Sequence, residues 1–205
     1  MDKLEAERTI RQNFKNLIVA ATGTGKTIIA ALDYKRQCLN NRKPRLLFVA
    51  HREEILKQSL NTFRVVLKDA NFGDLFVGNH IPSSFDHLFI SVQTFNAKNL
   101  STQITPDFYD YIIIDEVHHI PADTYKNILE HFKPKILLGL TATPERMDGR
   151  SILPYFNNKI TAEIRLPEAI ERKLLCPFQY FGVTDNVDLS NLRWEQGGYN
   201  KDELF

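Results

Sequence analysis

Leu17-Ile18-Val19-Ala20-Ala21-Thr22-Gly23-Thr24-Gly25-Lys26-Thr27 carries the reading of the fold. An apolar run of strand length enters a glycine-spaced turn, and a helical pattern follows from Thr27 to Cys38. Strand, turn and helix in that order form the context a phosphate-binding loop requires. Glycines let several backbone amides point inward at phosphate oxygens, and the following helix adds its amino-terminal partial charge. Thr22, Gly23, Thr24, Gly25, Lys26 and Thr27 are therefore the expected nucleotide cradle. Lys26 can reach the β- and γ-phosphates, and the Thr27 hydroxyl can ligate Mg2+. The general pattern begins with glycine, where this chain has Ala20.

Outward from the cradle, four more runs have the same character: Leu46 to Ala50, Leu88 to Val92, Tyr111 to Ile114 and Ile136 to Leu140. Each is apolar on consecutive positions, as in strands covered on both faces of a parallel sheet. Helical patterns at Thr27 to Cys38, Glu53 to Leu67 and Ala122 to Phe132 alternate with them, so an α/β, doubly wound sheet is expected. Ligands of such sheets bind where the strands end at their carboxyl edge. Beyond Pro144 the pattern loosens. Asp148 to Ser151 predicts a surface turn, Pro167 to Leu174 a short helix and Phe178 to Val183 another strand. Residues 184–205 are polar and read as a linker or the cut edge of a further domain.

Tyr111-Ile112-Ile113-Ile114 leads into Asp115-Glu116-Val117-His118. Two carboxylates at the end of a buried strand are costly unless a cation or hydrogen bonds compensate them. Behind a phosphate loop, Mg2+ supplies that compensation. Asp115 is the expected metal ligand, through water in the bound state, and Glu116 the group that polarises the water attacking the γ-phosphate. Composition narrows the partners. The formal net charge is +1, so contact with nucleic acid has to come from a local patch. Cys38 and Cys176 lack ligand-spaced neighbours, which argues against a zinc site or a disulfide framework and fits a reducing cytoplasm. No apolar run approaches membrane-span length, and the charged start at Met1 to Glu5 does not resemble a signal peptide.

These segments together resemble superfamily II helicases of the DExH type. Ala21 to Thr27 has that superfamily's form of the cradle, which accounts for Ala20. Asp115 to His118 resembles its acidic box, and Thr141-Ala142-Thr143 its third motif, extended by Pro144-Glu145-Arg146. Phe48 to Arg52 resembles motif Ia, and Ser91 to Thr94 the Ib region. The ordered set covers residues about 17 to 150. Phe48 to Phe63, Leu138 to Asp148 and Ala162 to Gly198 further resemble bacterial helicases related to XPB and to type I restriction motors. Members of that group often carry an upstream nuclease domain, of which this sequence shows nothing.

The resemblance implies a RecA-like P-loop NTPase fold, with a central, mostly parallel sheet flanked by helices and the motif III strand between the cradle strand and the acidic-box strand. It implies ATP and Mg2+ as cofactors, catalytic roles for Lys26, Asp115 and Glu116, and coupling roles for His118, Thr141 and Thr143. It implies His51, Arg52, Gln93 and Thr94 as contacts to the sugar-phosphate backbone of DNA or RNA. The family joins two RecA-like domains, the second supplying an arginine finger. The finger's motif and the adenine-reading Gln motif are both missing from this sequence. The expected organisation is a first RecA-like domain over residues 1–183, then a linker or truncated second domain over 184–205. An ATP-driven DNA motor is the leading expectation. A nucleotide- and nucleic-acid-binding scaffold without turnover, or an RNA helicase, are the alternatives.

Overall fold

The five apolar runs form the middle of a seven-stranded sheet in which every pairing is parallel. The computed structural model describes residues 1–39, 42–78, 80–117, 122–144, 151–181, 194–195 and 198–199, with 122–124 and the last four by backbone. The strands are β1 (Lys15–Ala20), β2 (Leu46–Ala50), β3 (Asp74–Phe76), β4 (His87–Ser91), β5 (Tyr111–Asp115), β6 (Ile136–Thr141) and β7 (Ala162–Ile164). Their order is β3-β4-β2-β5-β6-β1-β7. The strand ending in Thr141 thus lies between the cradle strand and the acidic-box strand, as the resemblance implies.

Alternate residues of each central strand serve opposite cores, which is why the runs are apolar without interruption. On one face Ile18, Phe48, Ile113 and Leu138 pack with Ala30 and Tyr34 of α2 (Lys26–Gln37) and with Leu56, Leu60 and Phe63 of α3 (Glu53–Leu67). On the other, Leu17, Val49, Ile114 and Leu137 meet Phe95 of α4 (Val92–Ala97) and Ile128 and Phe132 at the end of α5 (Ala122–His131). Phe156 seals this second core so closely that a Cβ on Gly139 would stand 2.4 Å from its ring.

Polar chemistry fastens α1 (Asp2–Thr9), a helix with little apolar periodicity. Arg8 is buried, donates to Asp33 of α2 at 2.9 Å and pairs with its second carboxylate oxygen at 2.8 Å. Its Nε donates to Asn16 of β1 at 2.9 Å, and the Tyr111 hydroxyl at the start of β5 donates to the same Asp33. One arginine therefore ties α1 to the helix and strand that carry the cradle and, through Asp33, to the strand that carries the acidic box.

Three expectations need correction. Val92 opens α4 rather than closing β4, because the Ser91 side chain accepts the Thr94 amide at 3.1 Å and caps the helix there. The helix expected from Pro167 to Leu174 is α6 (Leu166–Glu171); Lys173 at φ +58 reverses the chain. Phe178–Phe181 form no strand and are largely exposed. Residues 182–183 lie outside the described residues. Of the stretch read as a linker, Trp194–Glu195 and Gly198–Tyr199 pair as a short antiparallel ladder.

Candidate functional site

Parallel strands end on one edge, so the described site segments read from the sequence meet there. Across that edge stand the ends of β4, β2, β5, β6 and β1, which lead into Gln93–Thr94, His51–Arg52, Asp115–Glu116, Thr141–Thr143 and the cradle. The acidic and threonine segments lie beside the cradle. The suggested backbone-gripping residues lie together one strand further on, with Ala50 in register with Ser91.

The cradle is built by left-handed backbone at Gly23 (φ +88) and Gly25 (φ +85), conformations that a side chain would strain. Thr24 closes the turn, donating to the Ala21 carbonyl through its amide at 3.2 Å and its hydroxyl at 2.6 Å. Gly25 precedes α2 without any side-chain cap, which leaves the helix's first amides facing the turn. Lys26 is buried. Its ammonium donates to the Ala20 carbonyl at 3.1 Å and lies 3.6 Å from Glu116 Oε1. These contacts compensate a buried cation where the β- and γ-phosphates of a nucleotide are expected. Thr27 follows on the first turn of α2, half-buried.

Asp115 is 5% exposed, and its Oδ1 accepts the Glu116 amide at 3.0 Å. Burial pushes its carboxyl up to about 6, with the Glu116 charge adding to the rise and Lys26 opposing it. A carboxylate held this reluctantly is a fitting ligand for a divalent cation, which would remove the cost of its charge. Glu116 takes a left-handed backbone (φ +50), which turns the chain out of β5 toward Lys26. Tyr125 donates to the Asp115 carbonyl at 3.2 Å and steadies the strand end; nothing in the sequence pattern singled it out. Buried beside the two carboxylates, its phenol stays protonated.

The Val117 amide donates to the Leu140 carbonyl at 3.3 Å, joining the acidic-box loop to β6. Thr141 is buried opposite Val19 of the cradle strand, and its hydroxyl donates to the Thr143 carbonyl at 2.7 Å while accepting the Thr143 amide at 3.2 Å. Both threonines thus shape the loop that follows β6. His118, the third coupling candidate, lies outside the described residues. Arg52 is exposed at the start of α3, with its Nε donating to His51 Nε2 at 3.1 Å. Gln93 is exposed, and Thr94 is half-buried with its hydroxyl oxygen accepting from Ser91 at 2.8 Å. Among the described residues no helix is long and apolar enough to cross a membrane, and no cluster of His, Cys, Asp and Glu forms a ready metal site.

The family described as "Type III restriction enzyme, res subunit" matches residues 1–146. The Type I restriction enzyme EcoAI endonuclease subunit of Escherichia coli is 30% identical over 192 residues, covering 88% of this chain and 23% of that protein. The candidate ATP-dependent helicase IRC3 of Saccharomyces cerevisiae is 32% identical over 202 residues, covering 90% of this chain and 28% of its own length. This chain therefore spans about a quarter of each relative. Among solved structures, a nuclease-deletion mutant of the Type ISP restriction-modification enzyme LlaGI, in complex with a DNA substrate mimic, superposes with a TM-score of 0.62. It is 16% identical, over 84% of this chain and 20% of that one, and so shares the fold.

Proposed function

Because this chain belongs to the family of type III restriction enzyme res subunits, as the first RecA-like domain of a superfamily II helicase, we propose that it binds and hydrolyses ATP with Mg2+ and couples turnover to movement along DNA. The observation that carries the reading is the meeting of Lys26 and Glu116 at 3.6 Å, beside buried Asp115, at the mouth of a turn shaped by Gly23 and Gly25. A binding scaffold has no need of all these groups.

In this reading the amides of the turn and the Lys26 ammonium hold the phosphates, and Lys26 exchanges its contact with the Ala20 carbonyl for phosphate oxygen. Thr27 and Asp115 hold Mg2+, which when bound neutralises charge on the phosphates. Glu116 accepts a proton from the attacking water. Thr141 and Thr143, whose loop lies between cradle and acidic box, pass the change toward the strand ends where His51, Arg52, Gln93 and Thr94 grip the sugar-phosphate backbone. LlaGI binds a DNA mimic and EcoAI is a restriction subunit, which favours DNA over RNA as the track. Residues 1–183 act as the first RecA-like domain of the motor, and 184–205 as a linker or the start of the second.

Steady-state hydrolysis with and without single-stranded DNA tests the proposal, on residues 1–205 and on a longer protein carrying both RecA-like domains. The chain alone should turn over slowly, because an arginine finger from the second domain is worth about 10³–10⁵ in rate in P-loop enzymes. Brisk, DNA-stimulated hydrolysis by the dilute chain would contradict the two-domain mechanism. Failure of Glu116→Gln to abolish turnover in the longer protein would remove Glu116 from its role.

A further inference from the structure

The segment after β7 is anchored to the phosphate turn at two places. At its base, β7 pairs with the end of β1, with Ala20 in register with Ile164 and the Ala21 amide donating to the Ile164 carbonyl at 3.0 Å. The turn thus begins on a residue bonded to β7. From there α6 sets Ala169 into the interior, fully buried. Past α6 the chain reverses at Lys173 (φ +58), and the amides of Leu174 and Leu175 both donate to the Ala169 carbonyl, at 2.9 and 3.2 Å. That reversal carries Leu175 back over the turn.

The second anchor is apolar. A Cβ built on Gly23 would meet one heavy atom within 4 Å, Leu175 Cδ2 at 3.1 Å. Gly23 itself stands exposed at φ +88, in the turn that Thr24 closes onto the Ala21 carbonyl. Leu175 is half-buried, whereas Glu171 to Leu174 before it and Cys176 to Phe181 after it are exposed. Its side chain is therefore the least exposed along this stretch. Beyond it Phe178, Tyr180 and Phe181 are between 65% and 86% exposed.

We propose that Leu175 is a positioning residue of the phosphate turn, a latch that holds Gly23 in its left-handed state and links occupancy of the cradle to the order of residues 174–181. The proposal rests on the nucleotide-binding reading of the cradle. Phosphate bound by the turn fixes Gly23, and a fixed Gly23 gives Leu175 a constant seat. By thermodynamic reciprocity a seated Leu175 then strengthens phosphate binding by the same factor. The contact gives the exit segment a direct report of whether the turn is filled, with no side chain of the catalytic set involved.

The test combines titration of Mg-ADP with amide hydrogen exchange, on the wild type, Leu175→Ala and Leu175→Met. In the wild type, saturating Mg-ADP should slow exchange at residues 174–178. Leu175→Ala should weaken Mg-ADP binding about 5-fold or more, the lower range of ordinary coupling between sites, and abolish the added protection. Leu175→Met, which can refill the seat, should restore both. Wild-type binding of Mg-ADP without any change in exchange at 174–178 overturns the latch even if Leu175→Ala fails to fold. Equal affinity in wild type and Leu175→Ala overturns it while leaving the cradle assignment intact. A wild type that does not bind Mg-ADP at all overturns the cradle assignment, and the latch with it.

Discussion

Replacing Asp115 by Asn should make the unliganded protein more stable at neutral pH while disabling its site. Asp115 is 5% exposed, and burial lifts its carboxyl from 3.8 to about 6. The sign follows from linkage: a carboxyl whose folded value is raised contributes stability that is fully present below 3.8 and is lost as pH rises through about 6. Above that window the folded protein carries a buried charge that the unfolded chain would hold in water. At about 1.4 kcal/mol per unit, the cost is roughly 3 kcal/mol. Asn keeps the shape and an oxygen to accept the Glu116 amide, which Asp115 accepts at 3.0 Å. Urea unfolding at pH 8 should therefore show Asp115→Asn more stable than wild type by about 2–3 kcal/mol, an advantage that shrinks toward zero by pH 4. Mg2+-dependent nucleotide binding should fall in the same variant, since the stranded charge is what a divalent cation would compensate. The reasoning is refuted if Asp115→Asn is destabilising at pH 8, or if its effect is the same at both pH values. Either result would mean that the carboxylate is held by favourable partners.

Other perturbations probe the scaffold and the gripping edge. Arg8→Met leaves Asp33 buried without its cation and should cost about 3–5 kcal/mol in chemical denaturation; adding Asp33→Leu should return much of it, and a loss below about 1 kcal/mol would show that the pair is not a keystone. Gly139→Ala places a methyl 2.4 Å from Phe156 and 2.9 Å from Leu17, so thermal or urea unfolding should reveal a loss of about 1–3 kcal/mol, partly recovered by Phe156→Leu. Arg52→Ala should weaken DNA binding with little sequence dependence and lower its salt slope by about 1, while Mg-ATP binding stays unchanged; an unaltered salt slope would mark Arg52 as a solvated surface charge.

Where burial is apolar, the sequence announces it. The apolar stripe of α3 defines Glu53–Leu67 at both ends, and the five uninterrupted runs mark the central strands because each feeds two cores. The site segments are legible for a related reason. Parallel strands put all their carboxyl ends on one edge, so motifs spread over more than a hundred residues of sequence meet without any knowledge of loop paths. What is illegible is held by polar or very local means. Helix α1 is fixed by Arg8 and Asp33 rather than by a stripe, and β3 and β7 are three-residue edge strands. Tyr125 reaches the site from a position with no motif around it. Phe178–Phe181 misleads in the opposite direction, since its strand-like composition stays exposed and pairs with no strand.

The central claim is that the turn from Thr22 to Thr27, Lys26 above all, holds nucleotide phosphates while Glu116 serves the chemistry. Calorimetric titration of Mg-ATP into wild type, Lys26→Ala and Glu116→Gln tests it most directly, with thermal melts confirming that all three are folded. Wild type and Glu116→Gln should bind with similar affinity, and Lys26→Ala should lose most of it, because a buried ammonium that now rests on the Ala20 carbonyl and Glu116 would no longer be there to meet phosphate. Undiminished Mg-ATP binding by folded Lys26→Ala would contradict the account, since the phosphates would then lie elsewhere on the molecule.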